Sequence, residues 1–447
     1  MKKVITYGTY DLLHQGHINL LRRAKSLGDY LIVGVTSDNF DRGRGKLNVR
    51  NNVLERVEAV KATGFADEVI IEDYLGQKID DIQKYNVDIF AIGSDWEGKF
   101  DYLNEYCKVV YLPRTEGISS TMLRQEKQYT YRIGIVGSGR IAKRFVPETK
   151  VVSGVSVVAV YDTNVRNAQS FAHQFDVEYY HDDYQAFLDF VDVVYVASPH
   201  NTHYSYAKKA LYADKHVLCE IPFTLNVEQA EELYDYAESH DLVLLVAAKT
   251  AYCPAFCHLV TLVKSGVIGE VVDVKASLSK MVSGNMRELD AEQAGGAMNE
   301  HAPLNLLAIV KLLGCGYKHV DFYTKVEGGV DVYTKANILY PHATSSMTVG
   351  IGVKTEGNLV VSGTKGYVYV PAPWWKTEYF ELRYENPANN KRFFYQLDGE
   401  GIRYEIAAFA KAVEFGKNIS YVTEKASVTI AGVIEMFNNR EKMIELQ

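Results

Sequence analysis

The chain has 447 residues, of which 47% are hydrophobic and 23% charged, and its formal net charge is −8. This length predicts two or three domains with ordinary hydrophobic cores, and the lack of long acidic or basic runs argues against nucleic acid or an anionic membrane surface as a partner. No apolar stretch of 18 residues occurs in the sequence, so we expect no membrane insertion and a cytoplasmic protein.

The first 125 residues alternate short, β-branched apolar runs with amphipathic stretches, which is the pattern of a parallel α/β sheet. The apolar runs are VITYGT, YLIVGVT, ADEVIIE, VDIFAIG and KVVYLP. We therefore predict one domain over residues 1–125, followed by a polar linker at 126–130.

The most specific motif of this region is GTYDLLHQGH, at residues 8–17, where a predicted strand gives way to a helix. The N–H groups and the dipole at a helix start favour anions, and Gly16 lets a phosphate approach the backbone. His14 and His17 flank that glycine and can donate hydrogen bonds to a phosphate as negative charge develops. The motif predicts a phosphate-transfer site, with two ordinary, partly buried polar histidines as the alternative.

A second motif, RTEGISST at residues 114–121, follows the last strand of the same domain. It combines an arginine, which can contact a phosphate through two parallel hydrogen bonds, with three hydroxyl groups and a predicted helix start. These groups suit a transferring phosphate. The alternative is a capped surface helix.

Residues 1–124 resemble the glycerol-3-phosphate cytidylyltransferases, with matching stretches GTYDLLHQGH, LLRRAKSLGDYLIV, GSDWEGKFDYL and VVYLPRTEGISST. The resemblance implies in-line attack of an acceptor phosphate on the α-phosphorus of CTP, with Mg²⁺ bound to the triphosphate and no dedicated protein metal site. It assigns stabilisation of the negative charge that develops on the phosphates to His14, His17, Lys46 and Arg114. It assigns nucleotide and substrate binding to Gly8, Thr9, Tyr10, Asp11, Gly16, Arg44, Arg56, Asp95, Thr115, Ile118, Ser119 and Thr121. Glycerol 3-phosphate is the expected acceptor, and ribitol 5-phosphate or another alditol phosphate is the alternative.

A new series of strand, glycine turn and helix begins at Tyr131 and predicts a second doubly wound domain over 131–252. Its first strand leads into GSGRIA at residues 137–142, a dinucleotide fingerprint with alanine at the third small position. Asp162 ends the next strand, about 25 residues on, where a carboxylate binds the adenosine ribose and favours NAD. We predict a NAD or NADP site here, and a tight turn without a ligand is the alternative.

After about residue 265 the segments become longer and alternate in polarity, as in EVVDVKASLSKM and VDVYTKANILY, which suits a largely antiparallel sheet with one covered face. The tail from Arg403 to Glu445 returns to helical periodicity. We predict an α/β sheet domain over 253–447, serving substrate binding or dimerisation, whose last helices pack back on the dinucleotide domain.

With SPHNTHY, CEIPF, KTAY and SGVIGEV, residues 131–447 resemble the Gfo/Idh/MocA oxidoreductases, which move hydride between nicotinamide and an alcohol carbon of a sugar or polyol. The resemblance assigns cofactor binding to Gly137, Gly139, Arg140, Ile141, Asp162, Ser198, Pro199, His200, Asn201, His203 and Glu220. Both families commonly dimerise, so we expect a homodimer or a higher homo-oligomer.

Two positions at which that family handles protons are apolar in this sequence. The family's Glu-Lys-Pro reads Glu220-Ile221-Pro222, and its later His or Tyr falls at Leu304. Either Lys249, His301 or His203 carries the acid–base function, or the domain is a dinucleotide-binding or dimerising scaffold. In the first case the fusion suggests that one domain reduces a keto-sugar phosphate to the polyol phosphate that the other activates, for a cell-wall or capsular polymer.

Cysteine use gives no further site. The five cysteines are an odd number without a Cys-x-x-Cys pair, which predicts reduced thiols. Cys253 and Cys257 are four residues apart, but no nearby His or Cys completes four metal ligands. We expect no protein-bound metal.

Overall fold

The structure is a computed structural model that describes residues 1–43, 49, 51, 53–74, 76–113, 130–284, 286–416 and 420–447. It divides into two compact units, Met1–Tyr129 and Thr130–Gln447. Both units are α/β, and the predicted fold class is confirmed.

The first unit is built on a five-stranded parallel sheet. Its strands are β1 (Lys3–Gly8), β2 (Tyr30–Thr36), β3 (Glu68–Glu72), β4 (Ile89–Gly93) and β5 (Lys108–Leu112). Its described helices are α1 (Gln15–Lys25), α2 (Asp38–Gly43), α3 (Val53–Ala62) and α4 (Gln77–Tyr85). The strand order is β3-β2-β1-β4-β5. Because β1 has β2 on one side and β4 on the other, the strand order switches direction at β1, and open α/β sheets bind ligands at the carboxyl end of the strands at such a point.

Both faces of this sheet are covered by hydrophobic cores. On β1, Val4 enters one core and Ile5 enters the other. Successive residues of a strand point to opposite faces, so a strand covered on both sides must be apolar throughout. This explains why the sequence shows continuous apolar runs instead of alternation.

The second unit begins with a six-stranded parallel sheet. Its strands are β6 (Tyr131–Val136), β7 (Val155–Tyr161), β8 (Tyr179–His181), β9 (Val193–Val196), β10 (His216–Glu220) and β11 (Leu244–Ala247). Its helices are α5 (Arg140–Thr149), α6 (Val165–Phe175), α7 (Tyr184–Leu188), α8 (His203–Tyr212) and α9 (Val227–Ser239). The order β11-β10-β9-β6-β7-β8 places β6 between β9 and β7. The glycine turn after β6 therefore lies at the switch point of this sheet.

A nine-stranded mixed sheet follows in the same unit. Its strands are β12 (Val271–Ser279), β13 (His319–Glu327), β14 (Val330–Leu339), β15 (Thr344–Gly350), β16 (Leu359–Gly363), β17 (Gly366–Val370), β18 (Tyr379–Tyr384), β19 (Lys391–Phe394) and β20 (Met443–Glu445). The order is β19-β18-β17-β16-β12-β15-β14-β13-β20. Most pairs are antiparallel, and β12 with β15 and β13 with β20 are parallel.

Four helices accompany this sheet: α10 (Pro254–Lys264), α11 (Ala297–Leu313), α12 (Ile402–Phe415) and α13 (Glu424–Asn438). Helix α11 packs on β12, β14 and β15, whereas α12 packs on α5 and α13 on α9. Arg403 of α12 donates two hydrogen bonds of 2.9 Å to the Glu148 carboxylate on α5. The last helices thus pack on two helices of the six-stranded sheet domain.

Candidate active sites

The turn between β1 and α1 brings two imidazole rings together at a helix start. His14 is the N-cap of α1, and its Nδ1 accepts the N–H of Gly16 at 3.1 Å. The rings of His14 and His17 stack with centroids 3.9 Å apart. Because Nδ1 accepts a hydrogen bond, neutral His14 carries its proton on Nε2, which is then a donor. The turn therefore combines imidazole donors with the positive end of a helix.

This turn is held in an uncommon backbone conformation. Tyr10 and Leu12 have φ values of +53° and +46°, a region that ordinary side chains occupy at a cost of about 1–3 kcal/mol each. Tyr10 is buried, with its ring 5.4 Å from that of His17 in an edge-on arrangement. A Cβ at Gly8 would lie 2.9 Å from the Tyr10 ring, so glycine is needed where this ring folds back over the strand end.

The predicted binding residues Thr9 and Asp11 are both buried beneath the turn. The Thr9 hydroxyl donates to Asp41 Oδ1 at 3.0 Å, and Asp11 Oδ1 accepts the N–H of Asn51 at 3.1 Å. These contacts tie the turn to α2 and to the chain that precedes α3. In this arrangement both side chains hold the shape of the site.

Arg56 lies beneath the same turn. Its side chain is 0% exposed, and its guanidinium donates to protein acceptors. These acceptors are the carbonyls of Thr9, Thr36 and Asn51 and the carboxylates of Asp38 and Asp41, at 2.6–3.2 Å. The structure therefore gives Arg56 a positioning role, joining the turn to the end of β2 and to α2.

Of the remaining predicted residues of the first unit, only Asp95 lies within the described part of the chain. Asp95 is exposed in a short 3₁₀ turn directly after β4, the strand next to β1. The predicted residues that lie outside the described ones are Arg44, Lys46, Arg114, Thr115, Ile118, Ser119 and Thr121.

A buried polar network near the carboxyl ends of β1 and β3 was not predicted. The Tyr7 hydroxyl donates to Asp81 Oδ2 at 2.8 Å, and Lys78 pairs with Glu72 while its Nζ lies 4.5 Å from the centre of the Tyr7 ring. Burial and the Asp81 charge raise the pKa of Tyr7 well above its ordinary value. The members of this network come from three separate elements, β1, β3 and α4, so no local sequence motif indicates the network.

In the second unit, the turn after β6 has the features of a dinucleotide site. Gly137 has φ +98°, and a Cβ there would lie 2.7 Å from the Ala197 carbonyl oxygen. Gly139 is the N-cap of α5, and a Cβ on it would meet nothing within 4 Å. Asp162, at the end of β7, accepts from the N–H and the hydroxyl of Ser138 at 3.2 and 2.5 Å. Open space before a helix start, with a carboxylate at the next strand, fits the pyrophosphate and ribose of NAD or NADP.

Arg140 and Ile141 form the first turn of α5, directly after that glycine, and Ile141 is partly buried. The loop after β9 carries four other predicted cofactor residues. His200 Nδ1 lies 3.2 Å from the Ala294 carbonyl, and Asn201 donates to the Glu292 carbonyl at 2.9 Å. The loop therefore contacts the chain before α11.

His203 is held on both ring nitrogens. Nδ1 lies 2.7 Å from the Pro222 carbonyl, and Nε2 lies 2.9 Å from that of Ser198, the residue before Pro199. Burial lowers the pKa of this imidazole. A ring fixed between two backbone carbonyls is poorly placed to exchange a proton with a substrate.

At the end of β10, Glu220 belongs to a buried acidic pair. Its Oε1 accepts the hydroxyl of Tyr195 at 2.5 Å, and burial raises its pKa to about 7. Burial and the charge of Glu220 raise the pKa of Glu405, on α12, well above its usual range. Lys249 Nζ donates to the Glu400 carbonyl at 2.8 Å. The charge of Lys249 lowers the pKa of both Glu220 and Glu405, against the larger effect of burial, so its ammonium lies close enough to influence this pair. Sequence reasoning missed Tyr195 and Glu405.

The two apolar replacements lie in apolar surroundings. Ile221 lines a cavity together with Pro303 and Leu307, and Leu304 packs against the core of the nine-stranded sheet. The family's proton-handling positions are therefore part of the hydrophobic packing in this chain.

His301, the remaining candidate, lies on α11 beside a cluster of charged residues. Burial lowers its pKa to about 4, and among the described residues its Nε2 makes no hydrogen bond. Arg287 donates to Glu300 Oε1 at 2.6 Å, and Glu300 Oε1 lies 3.5 Å from His200 Nδ1. Arg140 Nη2 lies 3.3 Å from Glu288 Oε1. Sequence reasoning missed Arg287, Glu288 and Glu300, because they lie in a short 3₁₀ turn and in α11, both far along the chain from the glycine turn.

Within the described residues, no three His, Cys, Asp or Glu side chains are grouped so that they hold a metal ion. None of the helices described there combines the length and the hydropathy needed to cross a bilayer.

Comparisons with known proteins separate the same two units. Residues 5–126 match a cytidylyltransferase-like family, and residues 131–248 match an oxidoreductase family with an NAD-binding Rossmann fold. The glycerol-3-phosphate cytidylyltransferase of Bacillus spizizenii is 53% identical over 131 residues, which are 28% of this chain and 97% of that protein.

The second unit has relatives of lower identity. The trans-1,2-dihydrobenzene-1,2-diol dehydrogenase of Sus scrofa is 26% identical over 318 residues, covering 68% of this chain and 95% of that protein. A solved 3-ketoreductase from Actinomadura kijaniata, in complex with NADP and TDP-benzene, has a TM-score of 0.65 at 24% identity, covering 71% of this chain and all of that one. At that identity the likeness shows the fold. The chain therefore belongs, through its first unit, to the glycerol-3-phosphate cytidylyltransferase family of CTP-dependent nucleotidyltransferases, and its second unit is a Gfo/Idh/MocA oxidoreductase domain.

Proposed function

We propose that the first unit transfers CMP from CTP to a polyol phosphate, glycerol 3-phosphate first among them, giving a CDP-polyol and pyrophosphate. The observation that carries this proposal is the stacked pair His14 and His17 at the start of α1. The family of the first unit supports the choice of glycerol 3-phosphate, since the match spans 97% of the glycerol-3-phosphate cytidylyltransferase named above.

In this proposal an oxygen of the acceptor phosphate attacks the α-phosphorus of CTP while the bond to the β-phosphate oxygen breaks. Negative charge grows on the departing pyrophosphate, where the imidazole N–H groups and the N–H groups of α1 can donate to it. Mg²⁺ bound to the nucleotide would neutralise phosphate charge. Lys46 and Arg114 are proposed to complete the cationic set. The protein's contribution is positioning and charge stabilisation, and no covalent intermediate is needed.

The test is pyrophosphate release from CTP, Mg²⁺ and glycerol 3-phosphate, with a His17→Ala protein beside the wild type. We expect release by the wild type and a loss of about 100- to 1,000-fold in the variant, the size seen when one charge-stabilising donor is removed. Release only with ribitol 5-phosphate would change the acceptor and keep the reaction. A wild type that is inactive with every acceptor would overturn the proposal.

We infer that the second unit is a reductase that makes the polyol phosphate from the corresponding ketone with NADH or NADPH. The glycine turn at 137–139 and Asp162 would hold the coenzyme, which supplies hydride to the carbonyl carbon when bound. The carbonyl oxygen then needs one proton. Lys249 is the best-placed donor of the three candidates, because His203 is fixed between two carbonyls and His301, with its pKa near 4, is neutral at pH 7.

The alternative, a dinucleotide-binding or dimerising scaffold, is favoured by one observation, the apolar surroundings of Ile221 and Leu304. Fluorescence titration of NADH and NADPH, followed by their oxidation with dihydroxyacetone phosphate and ribulose 5-phosphate, separates the two. A reductase should lose turnover in Lys249→Met and keep it in Lys264→Met, an exposed lysine on α10. Binding of the coenzyme without turnover by any ketone would favour the scaffold. Sedimentation of the full chain tests the homodimer or higher homo-oligomer that we propose from both families.

A further inference from the structure

We propose that the second unit contains a phosphate-binding subsite, formed by Arg287, Lys280 and Arg140, that selects a phosphorylated ketone. This inference rests on the proposed reductase function and names the class of its substrate. Nothing in the sequence motifs assigns a role to Arg287 or Lys280.

Two consecutive glycines bring the arginine to the site. The N–H of Gly296 donates to the Glu288 carbonyl at 2.9 Å, and a Cβ on Gly295 would lie 2.6 Å from that same oxygen. Because Gly295 has no side chain in the way, the short turn Arg287–Leu289 packs against the two glycines that directly precede α11. This contact places Arg287 beside Glu300.

Arg287 is incompletely paired. Its Nη2 donates to Glu300 Oε1 at 2.6 Å, but its Nη1 is buried and, in the described part of the chain, makes no hydrogen bond. An arginine has five N–H donors, and a buried donor without an acceptor is unfavourable. A ligand with several acceptor oxygens would satisfy this atom.

The neighbouring charges leave a surplus of positive charge. Arg140, Lys280 and Arg287 face two carboxylates, Glu288 and Glu300. Burial raises the pKa of Glu300. Burial, followed by the charge of Arg140, lowers the pKa of Lys280, at the end of β12. Cations that repel one another and are partly buried are stabilised by an anion bound between them.

The same cations also influence His301. Burial lowers its pKa, and the charges of Lys280 and Arg140 lower it further. An anion bound here would therefore lie beside α11 and in front of the glycine turn that ends at Gly139. A phosphate at this place can belong to the ketone substrate or to the coenzyme. Arg140 suits either, whereas Arg287 and Lys280 come from the sheet domain, and we assign them to the substrate.

Calorimetry of the full chain saturated with NADP⁺ tests the assignment, because the oxidised coenzyme cannot reduce the titrated ketone and the measured heat reports binding. The titrants are dihydroxyacetone phosphate and dihydroxyacetone, and the proteins are wild type, Arg287→Gln, Lys280→Gln and the control Lys275→Gln, whose side chain on β12 is 65% exposed. Removing one charge-assisted hydrogen bond should weaken binding of the phosphorylated ketone about ten- to hundredfold. Binding of dihydroxyacetone should not change, and the control should match the wild type. The first unit is identical in every protein, so differences report the second unit.

Lys280→Gln keeps the test valid if Arg287→Gln unfolds, because it breaks none of the ion pairs described above. Equal affinity of both variants and wild type for dihydroxyacetone phosphate would overturn the subsite. Weaker NADPH binding with unchanged ketone binding would assign the cations to the coenzyme and also overturn it. Reduction of ketones without preference for the phosphate would refute the subsite but keep the reductase. Phosphate-dependent binding without any turnover would keep the subsite and refute the reductase.

Discussion

Replacing Arg56 by methionine should lower the free energy of unfolding of the first unit, because Arg56 lies beneath the turn of its candidate active site. The change leaves the Asp41 carboxylate, 1% exposed, without its guanidinium and removes hydrogen bonds from the carbonyls of Thr9 and Thr36. Breaking a buried ion pair costs about 3–5 kcal/mol. The hydroxyls of Thr9 and Thr36 still donate to Asp41, so we expect the lower half of that range. A typical domain has about 5–15 kcal/mol of stability, and the unit should stay folded.

Hydrogen exchange of the full chain, read by mass spectrometry, measures this loss unit by unit. A loss of about 3 kcal/mol corresponds to exchange roughly 100-fold faster, expected in peptides from β1 and β2. Peptides from β6 and β7, in the second unit, should not change. The control is Lys61→Met, which removes an exposed pair with Glu58 and should change stability by less than about 0.5 kcal/mol.

The opposite pattern would refute the reasoning. If Arg56→Met exchanges like the wild type while pyrophosphate release falls more than about 100-fold, the arginine acts on the ligand itself. The positioning role that we give Arg56 would then be wrong, and the substrate contact implied by the family resemblance would be correct.

Three further predictions follow from single side chains. His14→Asn keeps an acceptor for the N–H of Gly16, whereas His14→Ala does not. Both variants remove the imidazole and should lose pyrophosphate release, but only the alanine variant should also lose about 1 kcal/mol of stability. Equal thermal unfolding of the two variants would refute the capping role. Gly139→Ala should keep the wild-type Tm and weaken NADPH in a fluorescence titration, whereas Gly137→Ala should lower Tm, because a Cβ there meets a carbonyl; unimpaired NADPH binding by Gly139→Ala would place the pyrophosphate elsewhere. Burial raises the pKa of Asp331 from 3.8 to about 7, so its contribution to stability is lost as the pH rises from about 4 to 7. Tm should therefore fall more steeply with pH in the wild type than in Asp331→Asn, and parallel curves would contradict this.

The sequence was informative where function depends on neighbours along the chain. His14, Gly16 and the helix that follows them are within a few residues of each other, so one motif specifies both the turn and its chemistry. The same holds for Gly137 and Gly139 after β6. Buried parallel strands were also clear, because burial on both faces demands uninterrupted apolar runs.

Features assembled across the fold were not predictable. The strand β8 has three residues, two of them exposed tyrosines, and shows too little apolar sequence for recognition. The partners of Arg56 come from four separate segments, which makes a buried framework residue indistinguishable from a substrate ligand in the sequence. Arg287 and Arg140 are brought together only by folding. Local patterns cannot report such contacts, because they contain no information about which segments meet.

The return of α12 to α5 has a consequence for how the chain is made. Arg403 is synthesised 255 residues after its partner Glu148, and at about 5–20 residues per second a ribosome needs roughly 13–50 seconds for that interval. The first unit can fold soon after it emerges, but the dinucleotide domain waits for its last helices with one flank uncovered. During translation, this exposed flank is the surface on which chaperones or neighbouring nascent chains would act.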